Sequence, residues 1–186
     1  ALSSLISVGG DLVIDSMNDM TNVDGMSNLV SVGGSLSVTS NDAINDIDGL
    51  SSLSSVGGFA TVSSNDNLLD VDGLSSLDSV VGYLNIENNQ RLTDVVGLSS
   101  VGPQVAGLYI RDNSVLSSLD GLGGIETVNG YMTIGFNPLL ANVDGLNLLT
   151  TVVESMYIHE NDLLEDLDGF SSMTDVGGIL DIWNNE

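Results

Sequence analysis

The sequence predicts an all-β protein, a single-stranded parallel β-solenoid of eight 24-residue rungs, and three observations predict it. An apolar pair spaced by one residue recurs as Leu12/Ile14, Leu36/Val38, Ala60/Val62, Leu84/Ile86, Leu108/Ile110, Met132/Ile134, Met156/Ile158 and Leu180/Ile182, each pair 24 residues after the last. An asparagine column, Asn41, Asn65, Asn89, Asn113, Asn137, Asn161 and Asn185, runs at the same period, with Met17 in its place in the first rung. An Asp-Gly step recurs between them, as at Asp48-Gly49 and Asp72-Gly73. Globular domains do not hold one register along a whole chain, whereas stacked repeats do.

The second rung, Val32 to Val56, shows how one unit is built. Gly33-Gly34 turns into a short strand, Ser35-Leu36-Ser37-Val38-Thr39. Period two there puts Leu36 and Val38 inward and Ser35, Ser37 and Thr39 outward. Asn41 follows, then aliphatics at Ile44, Ile47, Leu50, Leu53 and Val56, a period of three that suits extended arcs or short 3₁₀ turns better than a second long strand. Seven apolar columns result. One rung cannot bury its apolar edge alone, but rungs stacked about 4.8 Å apart can, and eight of them make a rod of about 35–40 Å. The asparagines read as an inward ladder, each carboxamide accepting from one rung's backbone and donating to the next. Residues 1–186 are expected to form one domain, uncapped at both ends.

The unit Leu-x-Val-x-x-Asn-x-x-Ile, followed by Asp-Gly-Leu-x-x-Leu-x-x-Val-Gly-Gly, resembles the repeats of receptor L domains. It is also similar to the L-domain-like repeats of fungal wall and bacterial surface proteins, relatives of leucine-rich repeats. The resemblance spans the chain. It implies a right-handed solenoid with a parallel sheet on one side and a non-enzymatic role. The cysteine-rich flanks of animal receptors have no counterpart here, and neither do recognisable end caps.

Composition narrows the function. Twenty-six acids stand against two arginines, Arg91 and Arg111, with no lysine, for a net charge of −24. Such a chain repels nucleic acid and anionic lipid and attracts hard divalent cations. No cysteine is present, which removes disulfide and thiolate chemistry. No apolar run approaches a membrane span, so membrane insertion is not expected. High acidity with abundant Ser, Asn and Gly suits an extracellular or cell-surface protein.

Two sets of residues are candidates for binding. Asp24, Asp48, Asp72, Asp120, Asp144 and Asp168 precede the turn glycine, with Val96 the exception, and Asp46, Asp70, Asp94 and Asp166 stand two residues earlier. Capping of the turn by the Asp before the glycine explains why nearly every rung carries it. Weak calcium binding along the column, through Asp46, Asp48, Asp70, Asp72, Asp166 and Asp168, is the accompanying expectation, and no other cofactor is implied. The second set is the outward strand face, where Phe59, Tyr83, Tyr109, Arg111, Tyr131, Tyr157, His159 and Trp183 fall. Aromatics at that density mark a contact surface for protein or sugar, against the alternative of stacking that only stabilises the sheet. Glu87 and Arg111 share a column in adjacent rungs and read as a cross-rung ion pair rather than a lyase site.

The expected function is therefore non-catalytic. The chain reads as a structural or adhesive repeat protein, either a segment of a surface protein or a subunit of a fibre that stacks head to tail through its terminal rungs. The alternative is an L-domain-type recognition module that binds a carbohydrate or protein through the aromatic face. Ice binding and polysaccharide cleavage are distant, because the serine columns break at Pro103, Gly123 and Asn147 and a single histidine, His159, stands without partners for imidazole metal sites.

Overall fold

The computed structural model describes residues 2–185 and contains no α-helix among them. It is a parallel β-solenoid. Eight strands, from Leu12–Asp15 in the first rung to Leu180–Trp183 in the last, form one sheet in unbroken chain order. Pairing is in register at 24 residues, with Leu36 opposite Ala60 and Leu84 opposite Leu108.

Period three in the lower arc has a direct cause. Ile44 N–H donates to the Asn41 carbonyl at 3.1 Å, Leu50 to Ile47 at 2.9 Å and Leu53 to Leu50 at 2.8 Å. These i→i+3 turns bring every third side chain to the same side. All seven apolar columns of the second rung, Leu36, Val38, Ile44, Ile47, Leu50, Leu53 and Val56, are fully buried. Burial weakens at the outermost described rungs, where Leu12 is only partly covered and Leu180 and Ile182 are exposed.

A second ladder, beyond the single sheet expected, runs along the rod. Two-residue strands such as Ser31–Val32, Ser55–Val56 and Ser79–Val80 pair in parallel, and their counterparts from Gln104–Val105 to Asp175–Val176 form a separate sheet. The interruption lies at Gly102-Pro103. Val105 pairs with Val128, 23 residues on, while Leu108 and Met132 keep the 24-residue step. The fifth rung is thus one residue longer before Val105 and one shorter after it. Proline has no N–H to give a ladder, and the local shift is where the ladder stops.

The asparagine ladder is present: its Nδ2 groups donate toward the following rung as expected, to the next Asn Oδ1 (Asn41 to Asn65 at 3.2 Å), but the cross-rung backbone groups they bond belong to the rung before. Each carboxamide serves the rung before its own through both of its groups. Asn65 Oδ1 accepts from Asn41 N–H at 3.1 Å, and Asn65 Nδ2 donates to the Val38 carbonyl at 2.9 Å. Asn89, Asn113, Asn137, Asn161 and Asn185 repeat the pair of bonds. The groups so clamped flank a left-handed corner residue. Ser16, Ser40, Ser64, Asn88, Asp112, Phe136, Glu160 and Asn184 all have φ between 49 and 56°. A chain reversing this tightly strands one N–H and one C=O, and the next rung's Asn satisfies both. Asn41 does the same for Met17 N–H, at 2.9 Å, and the Ile14 carbonyl. Met17 has no such duty among the described residues, since no earlier rung is there to clamp.

The Asp-Gly glycines are needed for close approach rather than for a left-handed φ, which none adopts. A Cβ on Gly49, Gly73, Gly145 or Gly169 would run into the carbonyl oxygen of Val23, Ile47, Leu119 or Val143 in the preceding rung. Gly123, by contrast, would place a Cβ 3.7 Å from its nearest neighbour.

Two stability measurements follow. Asn89→Ala leaves Asn65 N–H and the Val62 carbonyl unpaired inside the rod and should lower stability by about 1–3 kcal/mol; a parental denaturant midpoint would contradict the ladder. Gly73→Ala should be strongly destabilising, while Gly123→Ala should be neutral or stabilising by up to about 1 kcal/mol, since Gly123 already has helical φ. Equal effects from the two would show that rung contact does not select the glycine.

Candidate functional site

The outward strand face holds the aromatic residues in two clusters rather than one continuous patch. Phe59 and Tyr83 stack with centroids 5.1 Å apart and planes 12° apart. Tyr109 meets Tyr83 edge-on at 5.6 Å and 85°. Arg111 lies 5.6 Å from the Tyr109 ring centroid and forms an ion pair with Glu87 at 3.0 Å. That pair is the ordinary cross-rung contact its column position predicts, and at this exposure it contributes under about 1 kcal/mol. In the second cluster His159 stacks on Trp183 at 4.7 Å and meets Phe136 edge-on at 5.0 Å.

Glycine gaps in the outward columns make both clusters possible. Gly107 is the register partner of Tyr83, and a Cβ there would collide with the Tyr83 ring. Gly135 is the partner of His159, whose Cε1 would lie 2.6 Å from a Cβ at that position. Each ring leans over the neighbouring glycine instead of standing off the sheet. Tyr131 and Tyr157 fall outside the stacks. The neighbouring Glu154 carboxylate, as acceptor for the phenol proton and as a negative charge, raises the Tyr131 phenol above its usual range. Burial raises Tyr109 in the same direction.

Phe136 escaped the sequence reading. It stands in the corner column that other rungs fill with Ser, Asn, Asp or Glu, where apolar periodicity gives no signal. Its left-handed φ of 56° is costly for a bulky side chain, and its ring is nonetheless exposed. The physical return visible in the structure is the edge contact to His159.

On the turn side the capping assignment is corrected. The Asp before each glycine opens the 3₁₀ turn, as in Asp48–Leu50, and the capping oxygen comes from the residue two positions earlier. Asp46 Oδ1 accepts from Asp48 N–H at 3.3 Å, Asp70 from Asp72 at 3.1 Å, Asp94 from Val96 at 3.1 Å and Asp166 from Asp168 at 3.0 Å. Asn22, Ser118 and Asn142 take the same place in their rungs. Asp, Asn and Ser all fit, because each has a short side chain with an acceptor able to reach the N–H two residues on. The sequence carried this signal in the shared chemistry of the −2 column. The Asp46, Asp70 and Asp166 carboxylates are thereby engaged with their turns. Among the described residues no three His, Cys, Asp or Glu side chains converge on one metal position. The acids form stripes along the rod, with no cluster among them.

Known proteins offer no guide here, since no family model, curated protein or solved structure matches the chain.

The stripes have an electrostatic consequence. Lost hydration, and then the charges of Asp46, Asp70 and Asp24, hold the Asp48 carboxyl above its ordinary range. Asp72 is raised by lost hydration and then by Asp70, Asp94 and Asp48. A carboxyl raised in the folded state takes up its proton there before the unfolded chain does. Stability from these two groups therefore grows as pH falls through their raised values and is complete below the unfolded value near 3.9. Asp15, lowered by hydrogen bonds from Thr39 and Ser16, acts oppositely and only below the ordinary range. A double variant, Asp48→Asn with Asp72→Asn, should be more stable than the parent at pH 7 by about 0.5 kcal/mol after allowing for screening, or about 1–2 °C in Tm. The advantage should vanish by about pH 3.5. A difference independent of pH would contradict the charge origin.

Proposed function

We propose that this chain is a non-catalytic repeat protein of an extracellular or cell-surface setting, structural or adhesive in role. It serves as a segment of a surface protein or as a subunit that stacks head to tail. The observation that carries this reading is the coupling between rungs. From the first rung to the seventh a corner's polar groups are satisfied by the following rung's Asn, and the turn glycines from Gly49 to Gly169 pack on the preceding rung's carbonyl. Repetition is thus tied to making a long rigid body, while side-chain variety is confined to its outward surface. The likeness to L-domain repeats agrees with such a role, as do the charge of −24 and the absence of lysine and cysteine. No described helix is long and apolar enough to cross a membrane.

A second reading is favoured by a specific feature. The strand face carries exposed rings at Phe59, Tyr83 and Trp183 that the core does not require. Such a face suits an L-domain-type recognition module for a carbohydrate or protein.

Stacking can be tested on the 186-residue chain directly. Leu180 and Ile182 of the last rung are exposed, and they match the columns of Leu12 and Ile14. Covering such side chains contributes about 1.5–3 kcal/mol each. Across such a junction Met17 would face the Ile182 carbonyl and the Asn185 N–H, the two groups that an Asn serves elsewhere. High salt or calcium, which screens the charge, should promote linear particles visible by negative stain and light scattering. Met17→Asn should lengthen them, and Ile182→Lys should abolish them. A monomer at high concentration and high salt, for the parent and for Met17→Asn alike, would remove the fibre reading and leave the surface-segment one.

A further inference from the structure

The first aromatic cluster forms a site that the core does not use. Phe59 and Tyr83 lie nearly parallel and Tyr109 stands at 85° to Tyr83, so the rings make a right-angled corner. Thr61, Asn85 and Arg111 complete a recess of about 220 Å³. The corner is well braced. Adjacent paired strands hold Thr61, Tyr83, Asn85, Tyr109 and Arg111, Phe59 stands directly before the strand that opens at Ala60, and Glu87 ties to Arg111 at 3.0 Å and to Asn85 Nδ2 at 3.2 Å. Two polar atoms among the lining residues have no partner: Asn85 Oδ1, an acceptor, and Arg111 Nε, a donor. Both are buried.

Charge decides among ligand classes. An anion approaching a body of charge −24 finds no free cation here, because Arg111 is already paired with Glu87. A cation, which the whole chain otherwise attracts, meets the Arg111 guanidinium beside the Tyr109 ring. A neutral ligand is favoured on both counts. Ring faces take up apolar C–H surface, while Thr61, Asn85 and the tyrosine hydroxyls offer both donors and acceptors. A hydroxyl both donates and accepts, so it is the kind of group that an unpartnered acceptor such as Asn85 Oδ1 and an unpartnered donor such as Arg111 Nε lack.

We propose that the corner formed by Phe59, Tyr83, Tyr109 and Arg111 binds one ring of a neutral carbohydrate chain. The inference rests on the second reading above, that the strand face is a recognition surface. Suitable probes are particles of cellulose, β-1,3-glucan, chitin and starch, with an anionic pectate gel as the control. The intact chain should be retained on at least one of the neutral four and not on pectate. Soluble oligosaccharide of the same polymer should release it. Tyr83→Ser with Tyr109→Ser should weaken retention at least tenfold, and Arg111→Ala should weaken it severalfold. Retention on none of the four, or equal retention of the double variant, overturns the carbohydrate assignment. The denaturant midpoint of the double variant addresses the surface reading separately. A midpoint close to the parent's keeps the rings out of the rod's stability, whereas a fall as large as a core truncation makes them a structural stack and removes the recognition surface itself.

Discussion

The constraint on which this structure depends is that neighbouring backbones stay one strand spacing apart all the way round each turn. In the main sheet ordinary parallel pairing keeps that distance. In the lower arc, away from the strands, it must be kept by other means. The turn glycines do so by exclusion, because a single methyl group at Gly73 would strike the Ile47 carbonyl. The asparagines do so by attachment, because one carboxamide bridges two backbone groups of the rung before it. With spacing fixed at these points, the seven aliphatic columns fall into register, and the core is continuous from rung to rung.

The corner shows how a local cost is offset by the repeat. A left-handed residue in every rung turns the chain sharply after the strand, and most of those positions carry Ser, Asn or Asp, which tolerate that conformation. The bend leaves an N–H and a carbonyl facing inward without partners of their own. Because the satisfying side chain belongs to the following rung, no rung is complete by itself. The dependence runs in one direction, from each rung to the one after it, and it gives the solenoid a chemical polarity beyond the direction of its strands.

The outward face is free of these demands, and there the rungs differ. Small residues at Gly107 and Gly135 admit the rings of Tyr83 and His159 over the sheet, and they divide the aromatics into two clusters. The turn side is uniform by comparison. Its capping oxygens come from Asp, Asn or Ser interchangeably, and its remaining carboxylates crowd one another along the rod. Charge repulsion on that side opposes the stacking that the core and the ladder favour.

Much of this was legible beforehand. Side-chain periodicity reports which way a residue faces, so the strand positions, the buried columns and the inward asparagines could be read from spacing at 24 residues. Identity at a repeated position also reports a shared duty, as it does for the turn glycines and for the Asn column. Periodicity does not say which neighbour a polar group reaches. Asn65 faces inward whether it clamps the rung before or the rung after, and the recurrence of the Asp48 column points to it as the cap until the turn places the Asp46 oxygen near the Asp48 N–H. The interruption of the second ladder at Gly102-Pro103 was hidden because one added and one lost residue cancel in the count. Phe136 and the leaning rings lay beyond reach for a related reason, since their geometry depends on what the adjacent rung leaves empty. The sequence by itself determined the repeat, the register and the inward face, because those follow from the order of residues along one rung. Only the tertiary structure decided the direction of the ladder, the capping atom and the shape of the aromatic corner, because each is a distance between rungs.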